Sequence, residues 1–383
     1  MAMFVNRKSV IITVLTLLIA LHAGSGKSFA AEEIASFSNV KGEVRIKSPY
    51  RAKGKWLRVK KPGVTLFNGD EIKTLAGSAE LTFNDGSLMK ISENSSLSIE
   101  ERPTRKKLFG FIDLSYMNRN IKVSFGKLWA NVRKVRGMWT SFESKVAVAG
   151  IRGTTVSMYV DSRGDMQFSN EEGEVEISKH DGSFTVKMDR GKNVWIKGEE
   201  GDKTLVQSVN GDMGIYTDNV TIQLGHKNAI ILGISGDETT VDTPDFNESS
   251  VALIANAANI NLDGGESVNI ATDVVKNETK IFVPGSSTGD IGVKITATTV
   301  TLDPGEGIVI QMDEVNETAA ISILQSKDGV YIFNEDGRTY NLGPEDRMEV
   351  RTWDYTPEKV EPQYDPIVPP PPVEAGPASP VGP

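Results

Sequence analysis

Few side chains in this sequence are of the types that catalyse reactions or bind metals. The chain has no cysteine and three histidines, and only His180 and His226 follow the N-terminal 30 residues. Both lie in turn-like stretches, KHDG and GHKN, and neither belongs to a G-x-S-x-G motif. Because a zinc site needs clustered imidazoles or thiolates, the sequence predicts no metal and no cofactor.

Carboxylates are numerous, but they lie where turns are expected. The groups EEGE, GEEGD and NEDG separate short alternating runs, and no run has the spacing of a calcium loop. A glycosidase would need two carboxyl groups at a defined separation in one cleft. We therefore expect a non-enzymatic protein, and an envelope polysaccharide-acting enzyme remains as an alternative.

The segment 102–136 combines ten basic residues with a single acid, Asp113, and with interleaved aromatic residues. Such a mixture suits binding to an anionic surface, whereas the alternative is a strand core with a hydrated basic rim. Residues 108–117 fit no strand alternation, and we expect a projecting loop or short helix there. The candidate partner surface consists of Arg102, Arg105, Lys106, Lys107, Phe109, Phe111, Arg133, Lys134 and Arg136.

A lone arginine stands between two strand-like runs in VAVAGIRGTTVSMYV. Arg152 is flanked by Gly150 and Gly153, which would let the backbone turn tightly and approach a neighbour. A guanidinium can donate several hydrogen bonds to carbonyls left free at a turn. We interpret Arg152 as structural, with contact to a ligand as the alternative.

The two ends of the chain differ from the rest. Residues 1–30 have a basic start, an apolar run from Val10 to Leu21 and small residues at Ser28 and Ala30, which predicts a cleaved signal peptide. The apolar run is shorter than the ~20 residues of a membrane-spanning helix, so we expect none after cleavage. Residues 353–383 are rich in proline and predict a disordered tail.

Alternation with period two dominates the remainder and predicts an all-β fold. In SAELTFNDGSLMKIS, the Asp85-Gly86 pair predicts a hairpin. Further along, TVKMDRGKNVWI, TIQLGHKNAIIL, NINLDGGESVNI, TVTLDPGEGIVI and TYNLGPEDRMEV align with a spacing of about 38 residues. A second landmark, Thr204, Thr239, Thr279 and Thr318, keeps the same period. We predict tandem three-stranded β repeats over residues 178–352, packed as a sandwich or as a solenoid.

Several ordered motifs in residues 31–177 resemble the FecR family of exported domains. They are VKGEVRIK, the G-D-x-I-x-T at Gly69 to Thr74, the D-G-S at Asp85 to Ser87, GKLWANV, and the arginine-glycine-threonine at Arg152 to Thr154. The resemblance implies a β domain of the bacterial envelope that binds or scaffolds and has no catalytic residues. It also makes Gly150, Arg152, Gly153 and Thr154 the family signature. The sensor that names the family carries a cytoplasmic segment and a membrane helix before this domain, whereas a signal peptide is expected there in this sequence.

Charge is divided along the chain. Residues 31–136 carry a net charge of +10, and residues 137–383 carry −22. Together these features predict an exported, periplasmic or extracellular binding or scaffold protein whose partner is an envelope protein or an anionic glycan, and no nucleic acid. A periplasmic sensor that relays a signal to a membrane partner is the alternative. The sequence leaves the oligomeric state open.

Overall fold

The computed structural model describes residues 32–108, 112–256 and 258–351, and thirty β-strands run through these ranges. The prediction of an all-β fold is confirmed. Two three-residue 3-10 turns, Ala52–Gly54 and Glu200–Asp202, interrupt the strands. The predicted signal peptide and proline-rich tail lie outside the described residues. Within those residues, no helix is long and apolar enough to cross a membrane.

Twelve strands form the first part of the fold. They are β1 (Glu33–Lys47), β2 (Trp56–Val59), β3 (Thr65–Phe67), β4 (Asp70–Phe83), β5 (Leu88–Ile91), β6 (Ser95–Leu108), β7 (Ile112–Val132), β8 (Met138–Glu143), β9 (Ala147–Ile151), β10 (Thr154–Val160), β11 (Met166–Glu172) and β12 (Val175–Lys179).

Eighteen shorter strands follow. They are β13 (Phe184–Met188), β14 (Asn193–Gly198), β15 (Thr204–Asn210), β16 (Met213–Thr217), β17 (Thr221–Leu224), β18 (Ala229–Ser235), β19 (Glu238–Asp242), β20 (Val251–Ala255), β21 (Ala258–Leu262), β22 (Ser267–Asp273), β23 (Glu278–Phe282), β24 (Ile291–Ile295), β25 (Thr298–Leu302), β26 (Gly307–Asp313), β27 (Thr318–Gln325), β28 (Val330–Asn334), β29 (Thr339–Leu342) and β30 (Arg347–Arg351).

The strands form two ladders that are joined by three long strands. Ladder A runs β2, β1, β4, β6, β7, β8, β9, β12, β13, β16, β17, β20, β21, β24, β25, β28, β29. Ladder B runs β3, β1, β4, β5, β7, β10, β11, β14, β15, β18, β19, β22, β23, β26, β27, β30. All pairs are antiparallel except β7 with β8. Both ladders continue without a break through residue 177, the predicted domain boundary, which falls inside β12.

The long strands β1, β4 and β7 pass from one ladder to the other at glycines. Gly42 of β1 lies opposite Gly77 of β4, and the register shifts beside them. In β7, residues up to Phe125 pair with β6, and residues from Gly126 onward pair with β10. Gly126 has a φ of +112°, and a Cβ there would overlap Ser95. These bends therefore depend on residues without a side chain.

Alternating side chains of both ladders fill a single core. Ala79, Leu81 and Phe83 on β4 and Met89 and Ile91 on β5 are buried, as the hairpin at Asp85-Gly86 predicted. The first landmark of the repeats ends every fourth strand from β13 and is also buried, at Met188, Leu224, Leu262, Leu302 and Leu342. The alternation of apolar and polar residues in the sequence therefore identifies the core-facing side chains in all of these strands.

Each period of the repeat contains four strands, so the predicted three-stranded unit is wrong. One hairpin lies on ladder B and the next on ladder A, as with β18–β19 followed by β20–β21. The strand absent from the prediction is the first of each ladder A hairpin. In two periods an eight-residue loop precedes that strand, at 243–250 before β20 and at 283–290 before β24.

The alternation of hairpins gives the molecule two unlike edges. A hairpin returns the chain to the side from which it set out, so every connection from ladder to ladder after β8 lies on one side, here called the crossover edge. The hairpin turns lie on the opposite side, here called the turn edge. Arg152 and Gly153 join β9 of ladder A to β10 of ladder B and therefore lie on the crossover edge.

Candidate functional site

The Asp85-Gly86-Ser87 turn holds a buried arginine that the sequence did not reveal. Arg119 is 1% exposed; its Nε donates to Glu101 Oε1 at 2.7 Å and its Nη1 to Asp85 Oδ2 at 3.0 Å. Its guanidinium carbon lies 4.0 Å from the centroid of the Phe83 ring. Ser87 also donates to Asp85 through its backbone N–H and its hydroxyl. The D-G-S motif thus has a structural role.

The G-D-x-I-x-T motif is structural as well. Asp70 is fully buried and accepts the backbone N–H of Phe67 at 2.9 Å. Burial raises the pKa of Asp70, and the Phe67 N–H, the Ser48 hydroxyl and the charge of Arg51 offset only part of that rise. Thr74 accepts the N–H of Ser95 at 3.0 Å. Both side chains therefore hold neighbouring loops in place.

The arginine-glycine-threonine motif lies at the crossover edge. Gly153 has a φ of +68°, but a Cβ on Gly150 in β9 would lie 3.8 Å from the carbonyl oxygen of Glu176, an ordinary contact, so the close approach expected at Gly150 is not found. The guanidinium carbon of Arg152 lies 5.4 Å from the centroid of the Trp139 ring. Its Nε is buried without a hydrogen-bond partner in the described part of the chain. The aromatic contact replaces the expected carbonyl contacts, and the buried Nε remains an unused donor.

The loop between β7 and β8 places three more candidate residues beside Arg152. Arg133, Lys134 and Arg136 are not buried. A Cβ on Gly153 would lie 2.8 Å from the Cβ of Lys134, so this loop packs directly on the crossover at Arg152. The backbone N–H of Arg133 donates to Ser87 Oγ at 3.0 Å, which anchors the loop to the Asp85–Ser87 turn.

The predicted loop or short helix at 108–117 is wrong, because β6 and β7 continue there as a two-stranded arm. Arg102 pairs with Asn118 in register, and the pairing continues to Leu108 with Ile112. Beyond Glu100, β6 pairs with β7 alone, so regular alternation is not required. Arg105, Lys106 and Lys107 lie within β6. The predicted contact residues Phe109 and Phe111 lie outside the described residues.

The base of the arm and the loop meet at one place. Asn118 pairs with both Arg102 and Trp139, and the N–H of Met117 donates to the carbonyl of Gly137 at 2.8 Å. We define the basic surface as the five basic residues gathered here on the crossover edge, namely Arg102, Arg133, Lys134, Arg136 and Arg152. Trp139 contacts Arg152 there, and no sequence motif indicates that contact.

The residues with catalytic potential do not come together. His180 Nε2 lies 2.9 Å from the carbonyl oxygen of Ser144, and His226 Nδ1 accepts the N–H of Gly211 at 3.3 Å. Among the residues that the structure describes, no group of His, Cys, Asp and Glu could hold a metal ion. The basic surface is therefore the site to be explained.

Comparison with known proteins identifies part of the chain. Residues 70–176 match the family described as FecR protein, which confirms the predicted resemblance for the segment from β4 into β12. The match covers less than half of the chain. It includes Asp70, the D-G-S turn, Trp139 and the crossover at Arg152. A search of curated proteins finds none that matches.

Two crystal structures of a candidate anti-sigma factor from Parabacteroides distasonis ATCC 8503, at 1.65 and 2.50 Å resolution, also match. Each is 14% identical to this chain, with a TM-score of 0.28. The matched part covers 36% of this chain and 59% of that protein, so the chain spans less than two thirds of its length. A likeness of this size says nothing about function.

Proposed function

We propose that this chain, whose residues 70–176 form a FecR domain, is an exported, non-enzymatic component of bacterial envelope signalling. Its FecR domain presents the basic surface to an acidic partner protein. The observation that carries the proposal is the position of Arg102, Arg133, Lys134, Arg136 and Arg152 on one edge of the matched domain, where Arg152 also contacts Trp139. The family match supports signalling over a passive scaffold.

The basic surface has the features of a contact site for an anionic partner. Within the described residues, Arg133 and Lys134 form no ion pair, whereas Arg102 is paired with Glu100 at 2.7 Å. Charges on an exposed edge attract a partner of opposite sign and raise its rate of association. Trp139 adds an aromatic ring of the kind that is enriched in protein interfaces.

A scaffold that lacks a signalling partner is the second candidate function. The continuous ladders from β7 to β30 give it support, since they form one elongated sandwich with repeated loops. The two functions differ in their partners, because a sensor requires a membrane transducer and a scaffold does not. Identifying the proteins that bind the basic surface therefore separates them.

Affinity capture from envelope extracts tests the proposal. The double variant Arg133→Glu, Lys134→Glu reverses the charge of the loop, and Lys60→Glu, Lys61→Glu is the matched control. Both pairs are exposed, and the control pair lies between β2 and β3 on the turn edge. We expect the parent and the control to retain the same membrane-associated protein and the loop variant to lose it. Equal retention by all three would contradict the proposal.

Salt provides an independent readout of the same contact. Exposed charges are screened beyond a Debye length of about 8 Å at physiological ionic strength. We expect raised salt to release the partner from the parent and from the control. Retention that does not change with salt would show that the basic surface is not the contact.

A further inference from the structure

The crossover edge changes sign along its length. After Asp242, the six connections between the ladders are residues 243–250, 263–266, 283–290, 303–306, 326–329 and 343–346. These loops contain ten acidic residues and one basic residue, Lys327. The basic surface lies at the other end of the same edge, where β7, β8, β9 and β10 begin or end.

The acidic loops crowd their carboxylates together. Burial raises the pKa of Glu266, and the neighbouring charges of Asp263 and Asp290 add to that rise. Burial, and then Asp290 and Glu306, likewise raise the pKa of Asp303. In the described chain none of these five carboxylates forms an ion pair with a lysine or arginine. No ion pair within the described residues therefore compensates their negative charge.

The stretch between the two charged ends is nearly balanced. Residues 189–192 contain one acid and two bases, and residues 225–228 contain His226 and Lys227. From β10 to β30 ladder B has eleven strands, which at about 4.8 Å per strand separates the ends by ~48 Å. One molecule cannot bring its own two ends together over that distance, because the packed ladders lie between them.

We propose that the basic surface binds the acidic crossover loops of a second copy of this chain, with the two crossover edges antiparallel. The inference rests on the proposed function, since it names a partner for the same surface. Each copy would contribute one basic and one acidic end, so a single arrangement satisfies both contacts and closes as a twofold dimer.

Charge complementarity favours a second copy of this chain as the partner that binds the basic surface. The positive end of one edge meets the negative end of an identical edge, and the central loops that face each other carry little net charge. The side chain of Arg152 is only partly buried, so its guanidinium is a charged donor that a carboxylate could engage. Trp139 lies beside it and supplies an apolar contact.

Sedimentation equilibrium of the full purified chain tests this arrangement. We expect the mass of a dimer at low salt and of a monomer at high salt. Two variants address the two ends, Arg133→Glu with Lys134→Glu for the basic surface and Asp303→Lys with Glu345→Lys for the acidic loops. Each should weaken dimerisation at least about tenfold, because each places like charges opposite one another.

Mixing the two variants separates loss of contact from loss of folding. The basic-surface variant has two reversed charges at its basic end, and the acidic-loop variant has two reversed charges at its acidic end. An equimolar mixture should therefore form a heterodimer, whereas neither variant dimerises alone. The turn-edge control Lys60→Glu, Lys61→Glu should dimerise like the parent. A monomeric parent at low salt, or a mixture that stays monomeric, would overturn the proposal.

Sedimentation and affinity capture together distinguish failure of the dimer from failure of the proposed function. If the parent is monomeric at low salt but captures an envelope protein that the Arg133→Glu, Lys134→Glu variant loses, the proposed function stands and the dimer is wrong. If the parent dimerises through charge but captures no other protein, the dimer stands and the signalling partner is wrong.

Discussion

Arg119 is a buried charge paired with two carboxylates in the segment that matches the FecR family. Its two carboxylate partners, Glu101 and Asp85, lie 18 and 34 positions away in the sequence. In the sequence, Arg119 is one of ten basic residues in segment 102–136, for which we predict binding to an anionic surface. Alternation could not separate it from its neighbours, because a buried charge is identified only by partners that the fold brings from elsewhere.

Removing Arg119 should destabilise the protein severely. Arg119→Met leaves Glu101 and Asp85 buried without a cation, and breaking a buried pair in this way costs about 3–5 kcal/mol. The measurement is the free energy of unfolding by denaturant titration. As a control, Arg119→Met combined with Glu101→Gln and Asp85→Asn should recover part of the loss. A single variant as stable as the parent would show that the network adds nothing.

Asp70 should make stability depend on pH. Burial raises the pKa of Asp70 above its usual 3.8, so the folded state keeps this proton when the unfolded state has lost it. The contribution is fully present below pH 3.8 and is lost as pH rises through the raised value. Asp70→Asn should therefore flatten the pH dependence of stability in that window, measured by denaturation at several pH values. An unchanged slope would contradict this assignment.

Among the elements, the bend in β7 is sensitive to the addition of a single methyl group. Gly126→Ala combines strain from a positive φ, about 1–2 kcal/mol, with overpacking against Ser95, about 1–3 kcal/mol. We expect a loss of at least ~2 kcal/mol of stability by thermal or chemical denaturation. Gly191→Ala is the matched control, since its φ is +80° and a Cβ there meets nothing within 4 Å. Equal losses in both variants would show that packing against Ser95 is unimportant.

The arm formed by β6 and β7 lies where we predicted a projecting loop or short helix from the sequence. Its register is fixed by pairing from Arg102 to Leu108, without a third strand beyond Pro103. Replacing Arg105, Lys106 and Lys107 with glutamate should reduce salt-sensitive retention on envelope fractions, since these residues carry the positive charge of the arm. The same fractions washed at high salt serve as the control. Equal retention of the variant and the parent at low salt would limit the contact to the β7–β8 loop.

The repeats show how far periodicity can predict a fold. The landmarks at Leu224, Leu262 and Leu302 located equivalent strands correctly, because an inward leucine recurs wherever the core recurs. The predicted number of strands per unit is wrong, because it omits the first strand of each ladder A hairpin, which in two periods follows an eight-residue loop. Alternation reveals which face is buried, but it does not reveal on which ladder a hairpin lies.

On the scale of the whole molecule, the sequence predicted a basic front and an acidic rear but could not place both on one edge. That placement arises because successive hairpins alternate between the ladders. Every connection between the ladders after β8 therefore lies on the crossover edge. The basic and acidic residues, which are far apart in the sequence, therefore lie on a common edge only in the folded chain. The FecR resemblance located the signature residues, whereas their contacts with Trp139 and the β7–β8 loop required the structure.

Shortening the chain should test whether the ladders are built unit by unit. A chain that ends after Pro284 stops between β23 and β24 and keeps both ladders up to that point. We expect it to retain β structure by circular dichroism, while a single isolated period should not fold, since each unit packs on its neighbours. A cooperative thermal transition from one isolated period would contradict this account.

Export is a further prediction for the whole chain. The basic start, the apolar run and the small residues at Ser28 and Ala30 predict a mature N-terminus near Ala31. N-terminal sequencing of the native protein measures it directly. A sequence that begins at Met1, or recovery of the protein from the cytosol, would contradict the proposed location.

Site-specific photo-crosslinking in intact cells is a direct test of whether the basic surface contacts an acidic partner. A crosslinking amino acid at position 134 lies on the basic surface, and one at position 61 lies on the turn edge. We expect a crosslinked product with a second polypeptide from position 134 and none from position 61. No product from position 134, or the same product from both positions, would contradict it.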